Sequence, residues 1–284
     1  MSDAPEIKLG LIGDNIAQSS APRLHSLAGR QNGVSVQYDR LVPRDLGQDF
    51  DTLFAACAEQ GYRGINVTYP YKERAAAKVA VDDPRVRAIG AVNTVLFQPD
   101  GPRGFNTDYT GFIAAYRAAR GESPPGVCCL VGTGGVGRAL AFGLLALGAS
   151  EIRLVDMDAA KASSLARDLR AADHASRIAV FSDATAAAAG SSGLLNGTPV
   201  GMVGHAGTPL PRAAMSGAEW AFDAVYTPVD TVFLTDALAT GLSLISGYEL
   251  FFFQGVHAWA HFTDLPLDQT ALRIALAGDA ETSS

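Results

Sequence analysis

Three stretches carry residues whose types and spacing could do chemistry. In Asn66-Val67-Thr68-Tyr69-Pro70-Tyr71-Lys72 a short apolar run ends, and Pro70, with no amide proton to continue a ladder, turns the chain. Lys72 then opens a helical pattern reaching from Glu73 to Ala80. A lysine at such a strand-to-helix corner can point into a cleft and move a proton; its plain alternative is a first-turn lysine with its ammonium in water. In Gly104-Phe105-Asn106-Thr107-Asp108 a carboxylate precedes a helical segment, Tyr109 to Ala119, and reads as an N-cap for orphan amide protons. In Gly132-Thr133-Gly134-Gly135-Val136-Gly137-Arg138 the pattern G-x-G-x-x-G lies between an apolar strand, Val127 to Val131, and a helix running to Leu147. Such glycines let the backbone approach a pyrophosphate lying on the helix N-terminus. A second strand, Glu151 to Val155, ends in Asp156, roughly 20 residues on, where an acid can accept from adenosine ribose hydroxyls. This stretch reads as a dinucleotide site rather than a structural glycine turn.

The elements that would position these residues alternate. Ile7 to Ile12 reads as a strand, and Pro22 marks the start of a helix to about Arg30. Val34 to Val42 is the next strand, Leu46 to Gln60 has helical periodicity, and Tyr62 to Val67 delivers the lysine corner. Strand and helix in turn imply a mostly parallel sheet. A turn at residues 88–91 enters a strand to Val95, Pro99 to Pro102 is a turn, and the Gly- and Pro-rich run Gly121 to Gly126 looks like a domain boundary. After the glycine motif come a helix near Ala160 to Ala172, a strand Ile178 to Phe181, a short Ala-rich helix and a strand ending at Asn196. Asn196 to Met202 thus lies at a strand's carboxyl end, where ligands bind in open sheets. Phe222 to Val225 leads to Tyr226, and helices begin near Gly247 and Leu267.

A chain of 284 residues favours two domains, and 48% hydrophobic residues suffice for two cores. A net charge of −7, with no basic run longer than two residues, argues against nucleic acid as a partner but leaves room for a small anion in a locally positive pocket. Cys57, Cys128 and Cys129 lack metal-ligand spacing, so no metal is expected; they read as reduced core thiols. The first residues show no signal-peptide pattern, and no apolar run approaches the roughly 18 residues of a membrane span. The expectation is a cytoplasmic protein without a membrane partner, a monomer or homodimer.

In order along the chain, several blocks resemble the shikimate dehydrogenase family, which includes quinate/shikimate dehydrogenases. Gly13 to His25 resembles its serine-containing substrate loop, Asn66 to Lys72 its N-V-T-x-P-x-K block, and Gly90 to Thr94 its G-A-V-N-T. Asn106 to Gly111 resembles N-T-D-x-x-G, Asn196 to Met202 resembles N-(A/T)-x-P-x-G-M, and Gln254 stands at the late glutamine position. The resemblance implies an α/β fold: an N-terminal α/β substrate domain over 1–110, a Rossmann domain over 111–247, and helices over 248–284 returning to the first domain. It implies reversible hydride transfer between a nicotinamide cofactor and the C3 hydroxyl of shikimate. Lys72 and Asp108 would be the catalytic pair. Ser19, Ser20, Thr68, Asn93, Tyr226 and Gln254 would bind substrate. Gly132, Thr133, Gly134, Gly135, Val136, Gly137, Asp156, Thr198 and Val225 would bind the cofactor.

The chain departs from the family pattern in three places. Tyr71 replaces the usual Phe, and Ala21 stands where a second hydroxyl residue is usual, with Ser20 between it and Ser19. Asp156-Met157-Asp158 replaces the Asn-Arg-Thr run of NADP-using members, so NAD is expected over NADP. The alternatives are an enzyme acting mainly on quinate and a non-catalytic dinucleotide-binding regulator.

Overall fold

The computed structural model describes residues 5–278, which form two compact units. One comprises Met1–Thr107 with Gln254–Ser284, the other Asp108–Phe253. No helix among the described residues is long and apolar enough to cross a membrane.

The first unit is built on β1 (Glu6–Ile12), α1 (Ala21–Gln31), β2 (Ser35–Leu41), α2 (Phe50–Glu59), β3 (Gly64–Val67), α3 (Lys72–Ala76), α4 (Pro84–Ile89), β4 (Thr94–Gln98) and β5 (Gly101–Phe105). Its sheet runs β2-β1-β3-β4-β5. The first three strands are parallel, as the alternation of strand and helix up to Val67 implies, and β4 and β5 are added antiparallel. The turn at Pro99–Pro102 is the tip of that antiparallel pair, and two-residue turns join antiparallel neighbours without a crossover helix. Helix α3 is also shorter than the alanine-rich sequence suggests. The Ala80 amide donates to the Pro102 carbonyl (2.9 Å) and the Gly104 amide to the Ala80 carbonyl (2.8 Å), so pairing with β5 overrides helix propensity there.

Both sheet faces are covered. Ile12, Ile65, Val67 and Val95 pack on Phe50, Leu53, Phe54 and Cys57 from α2. Leu9 and Leu96 pack on Ala258 and Phe262, which belong to the chain's return. Arg23 Nη2 also donates to the Ala275 carbonyl (2.9 Å), and Arg63 Nε to that of Phe262 (3.0 Å).

The second unit contains α5 (Thr107–Arg120) from Asp108 on, then β6 (Val127–Val131), α6 (Gly135–Ala146), β7 (Glu151–Val155), α7 (Ala159–Ala172), β8 (Arg177–Phe181), α8 (Ala184–Ala188), β9 (Gly193–Asn196), β10 (Trp220–Asp223), α9 (Val232–Ala239) and β11 (Ser243–Ile245). Residues 121–126 connect α5 to β6 inside this unit. The sheet order β11-β10-β9-β6-β7-β8 is parallel throughout, the doubly wound order of a Rossmann fold, with its switch point between β6 and β9. Cys128 and Cys129 lie fully buried as free thiols in β6; burial pushes the Cys129 thiol up to about 12 and that of Cys57 likewise. Helix α10 (Gly247–Thr263) begins in this unit, and α11 (Gln269–Gly278) closes the described chain in the other.

Candidate active site

In the first unit the loops leaving β1 and β3 are joined at the carboxyl ends of their strands. The Thr68 amide donates to the Ile12 carbonyl (2.9 Å) and the Asp14 amide to that of Tyr69 (3.2 Å). Tyr71 fixes this corner further. Its ring stacks on Phe50 with centroids 4.9 Å apart, and its hydroxyl donates to Asp14 Oδ1 (2.8 Å). A phenylalanine would keep the stack, worth about 0.5–1.5 kcal/mol, and lose the link to the neighbouring loop. Lys72 follows directly as the first residue of α3 and is 8% exposed, so the solvated-lysine alternative does not hold.

Ser19 and Ser20 sit half-buried before α1. Ser19 Oγ accepts from the Ala21 amide (3.3 Å), which leaves its own proton available, and Arg40 Nη2 donates to the Ser19 carbonyl (2.8 Å). Ser20 occupies the N-cap position without a side-chain cap bond. The Ala21 side chain is buried beside Leu11 and Ile16. Position 21 therefore contributes a methyl to the core.

Asn93 is 3% exposed and held from three sides. Its Oδ1 accepts from the Thr107 amide (2.7 Å), the Thr107 hydroxyl (3.1 Å) and the Thr94 hydroxyl (3.2 Å). A backbone N–H needs an acceptor, so the amide's orientation is fixed and its NH2 is the end left for a ligand. Asn66 braces the same strand: Nδ2 donates to Thr94 Oγ1 (3.1 Å), and Oδ1 accepts from the Tyr38 hydroxyl (2.8 Å). The His25 ring stacks on Tyr38; burial holds its imidazole neutral by lowering its pKa to about 3, against a raising contribution from Asn66. Sequence reading assigned no role to Tyr38, Arg40, Asn66, Thr94 or Thr107. Asn66, Thr94 and Thr107 do lie inside the recognised blocks, while nothing local marks Tyr38 or Arg40.

Asp108 is not an N-cap. Helix α5 begins at Thr107, so Asp108 already lies inside the helix, and Asn93, 14 residues back, accepts from the Thr107 amide. Asp108 stands in the first turn, 6% exposed. Gln254, half-buried on α10, is the first residue of the segment returning to the first unit.

In the second unit the glycine loop fits a dinucleotide. Gly132 has φ +94°, and a Cβ there would stand 2.6 Å from the Thr198 methyl. A Cβ on Gly137 would strike the Gly132 carbonyl oxygen. Protein packing thus explains these two glycines. It does not explain Gly134, the N-cap of α6, where a Cβ would meet nothing within 4 Å. Open space before exposed amide groups is what a pyrophosphate needs. Gly135 and Val136 form the first turn behind it. Asp156 Oδ2 accepts from the Thr133 amide (2.7 Å) and hydroxyl (2.6 Å), and Oδ1 from the Asp158 amide (2.9 Å). Burial acts to raise the Asp156 carboxyl, but the Thr133 hydroxyl, the two amides and nearby Lys161 outweigh it and hold the group below the usual carboxylate value.

Across the switch point, Asn196 Oδ1 accepts from the Thr198 hydroxyl (2.6 Å) and amide (3.0 Å). Asp223 ties the strand ends together: Oδ1 accepts from Asn196 Nδ2 and the Val225 amide (2.9 Å each), and Oδ2 from the Thr231 hydroxyl (2.6 Å). Val225 is buried, and Tyr226 stacks on Phe251 with centroids 5.1 Å apart. Sequence reading did not single out Asp223 or Thr231. The structure so gathers Ser19, Ser20, Thr68, Lys72 and Asn93 on loops and strand ends of one unit, and the glycine loop, Asp156, Thr198 and Val225 on strand ends of the other.

Residues 11–95 match the family model described as the shikimate dehydrogenase substrate binding domain. The chain is 34% identical over 276 residues to a quinate/shikimate dehydrogenase (NAD(+)) of Corynebacterium efficiens, covering 94% of this chain and 96% of the relative. Its fold resembles that of quinate dehydrogenase from Corynebacterium glutamicum in complex with NAD, with a TM-score of 0.88, 30% identity, and 96% and 99% of the two chains covered. It also resembles shikimate 5-dehydrogenase from Thermus thermophilus in complex with NADP(H) and shikimate, with a TM-score of 0.83, 30% identity, and 95% and 98% covered.

Proposed function

The chain belongs to the shikimate dehydrogenase family, and from that premise we propose that it interconverts shikimate and 3-dehydroshikimate by reversible hydride transfer with a nicotinamide dinucleotide. The observation that carries this reading is the buried Lys72 at the head of α3, on a corner braced by Tyr71, with Asn93 oriented by Thr107 in the same unit. The dinucleotide supplies the hydride acceptor, held by Gly132, Thr133, Gly134, Gly135, Val136 and Gly137 with Thr198 and Val225. Lys72 takes the proton of the reacting hydroxyl in one direction and returns it in the other. Asp108 holds a neighbouring ring hydroxyl of the substrate. Ser19, with Ser20, binds the substrate carboxylate; Thr68, Asn93 and Gln254 bind ring hydroxyls; Tyr226 is a further substrate contact.

NAD is the cofactor in this reading. A 2′-phosphate would meet the carboxylates of Asp156 and Asp158, with no arginine in the run to receive it. Steady-state kcat/KM for shikimate and for quinate, each with NAD and with NADP, tests both parts. Turnover of shikimate with NAD at the highest kcat/KM supports the reading. A clear NADP preference sinks the cofactor assignment, quinate preferred over shikimate replaces the substrate, and no turnover with any pair removes the enzyme.

A further inference from the structure

A chain of hydrogen bonds crosses the first unit from β2 to Asn93. It begins at Tyr38, whose ring lies on that of buried His25 with centroids 5.1 Å apart and planes 12° apart. The Tyr38 hydroxyl donates to Asn66 Oδ1 (2.8 Å), and Asn66 Nδ2 donates to Thr94 Oγ1 (3.1 Å). The Thr94 hydroxyl donates in turn to Asn93 Oδ1 (3.2 Å). Asn66, Thr94 and Asn93 are buried, so a partner lost from the chain leaves a polar atom unpaired inside the protein.

We propose that Tyr38 is a positioning residue for substrate binding: acting through Asn66 and Thr94, its hydroxyl sets the angle at which Asn93 presents its NH2 to a substrate ring hydroxyl. The assignment rests on the reading of Asn93 as a substrate ligand given above. The order of donors and acceptors carries the effect, because Thr94 has a single hydroxyl proton. While Asn66 Nδ2 occupies a lone pair of Thr94 Oγ1, that proton is directed onward. The Thr107 amide fixes which end of the Asn93 side chain faces the protein (2.7 Å), and the Thr94 hydroxyl holds the same Oδ1 from another side. Without the Tyr38 hydroxyl, Asn66 Oδ1 loses its 2.8 Å donor and gains by rotating toward the Thr94 proton. Asn93 Oδ1 would then face a lone pair in place of a proton, and its amide would turn away from the substrate. The chain ends at Asn93 and does not include Lys72, so it acts on binding and not on proton transfer.

Tyr38→Phe keeps the ring on His25 and removes the hydroxyl. With NAD saturating, KM for shikimate should rise about three- to tenfold, the worth of one hydrogen bond, while kcat and KM for NAD stay within about twofold. The loss should pass through Asn93. In an Asn93→Ala background Tyr38→Phe should add less than about twofold, and in a Ser19→Ala background it should show its full effect. Thr94→Val breaks the chain two links later and should raise KM for shikimate as much, with Thr94→Ser restoring it. An unchanged KM for shikimate in folded Tyr38→Phe or Thr94→Val enzyme overturns the proposal. So does an effect of Tyr38→Phe that persists in full without the Asn93 side chain, or one that falls equally on kcat and on KM for NAD, as a general loosening of the protein would. Asn93→Ala alone separates this from the underlying reading. If KM for shikimate is unchanged there, Asn93 is no substrate ligand and both fall; a raised KM in Asn93→Ala beside a silent Tyr38→Phe leaves the ligand standing and removes Tyr38.

Discussion

Asp223→Asn should flatten the pH dependence of stability of the second unit. Burial pushes the Asp223 carboxyl from 3.8 up to about 6, against the lowering effect of the Thr231 hydroxyl, the Val225 amide and the Asn196 side chain. The folded state therefore holds this proton more tightly than the unfolded chain does. The stability it contributes is fully present below the unfolded value and is lost as pH rises through about 6. A shift of about two units at 1.36 kcal/mol each amounts to about 3 kcal/mol. Asparagine cannot ionise, yet its Oδ1 still accepts from the Val225 amide and Asn196. The wild type should thus lose about 3 kcal/mol relative to Asp223→Asn between about pH 4 and about pH 7, with no further change above. Urea unfolding at each pH measures this, read from Trp220 fluorescence in a Trp259→Phe background that leaves one tryptophan. Asp223→Ala supplies the contrast: three buried donors lose their acceptor, at about 1–3 kcal/mol each, so it should be less stable at every pH. A flat difference between wild type and Asp223→Asn, or one that rises with pH, would refute the reasoning.

Lys72→Ala should lower kcat by about 10²–10⁴ while the Kd for NAD, read by titration, stays within about threefold; near-normal turnover removes the lysine from the mechanism. Asp108→Asn should lower kcat as well and raise KM for shikimate, and it should leave the start of α5 intact, because Asp108 stands inside the helix rather than at its N-cap. Ser19→Ala should raise KM for shikimate about ten- to a hundredfold, and Arg40→Ala severalfold by freeing the Ser19 carbonyl; if both are silent, this loop does not hold the carboxylate. Tyr71→Phe should keep the Phe50 stack and raise KM for shikimate about threefold through the missing Asp14 bond, an effect absent from KM for NAD.

The second unit was the more legible in the sequence. Its strands are short apolar runs ending in Gly132, Asp156 and Asn196, and strand, glycine loop and helix follow one another within local sequence, so pattern alone fixes them. The first unit depends on distant partners. Ala80 joins β5 rather than α3, and Thr107, whose amide donates to distant Asn93, begins α5 one residue ahead of Asp108; neither contact leaves a local signature. The departures at Tyr71 and Ala21 were visible as residue types, but their meaning was not. Tyr71 bonds a loop more than fifty residues away, and Ala21 turns out to pack on Leu11 and Ile16. Ser19, Lys72 and the glycine loop were found from motif blocks, whereas Asp223, the acid that holds the strand ends of the second unit together, shows itself only through three hydrogen bonds between separate loops.

Label transfer tests the central claim most directly. Shikimate carrying deuterium at C3 is incubated with the purified protein and NAD, and both products are read by mass spectrometry. Hydride transfer from C3 predicts reduced cofactor carrying one deuterium and 3-dehydroshikimate carrying none. Reduced cofactor without deuterium, or deuterium released to water, would contradict it.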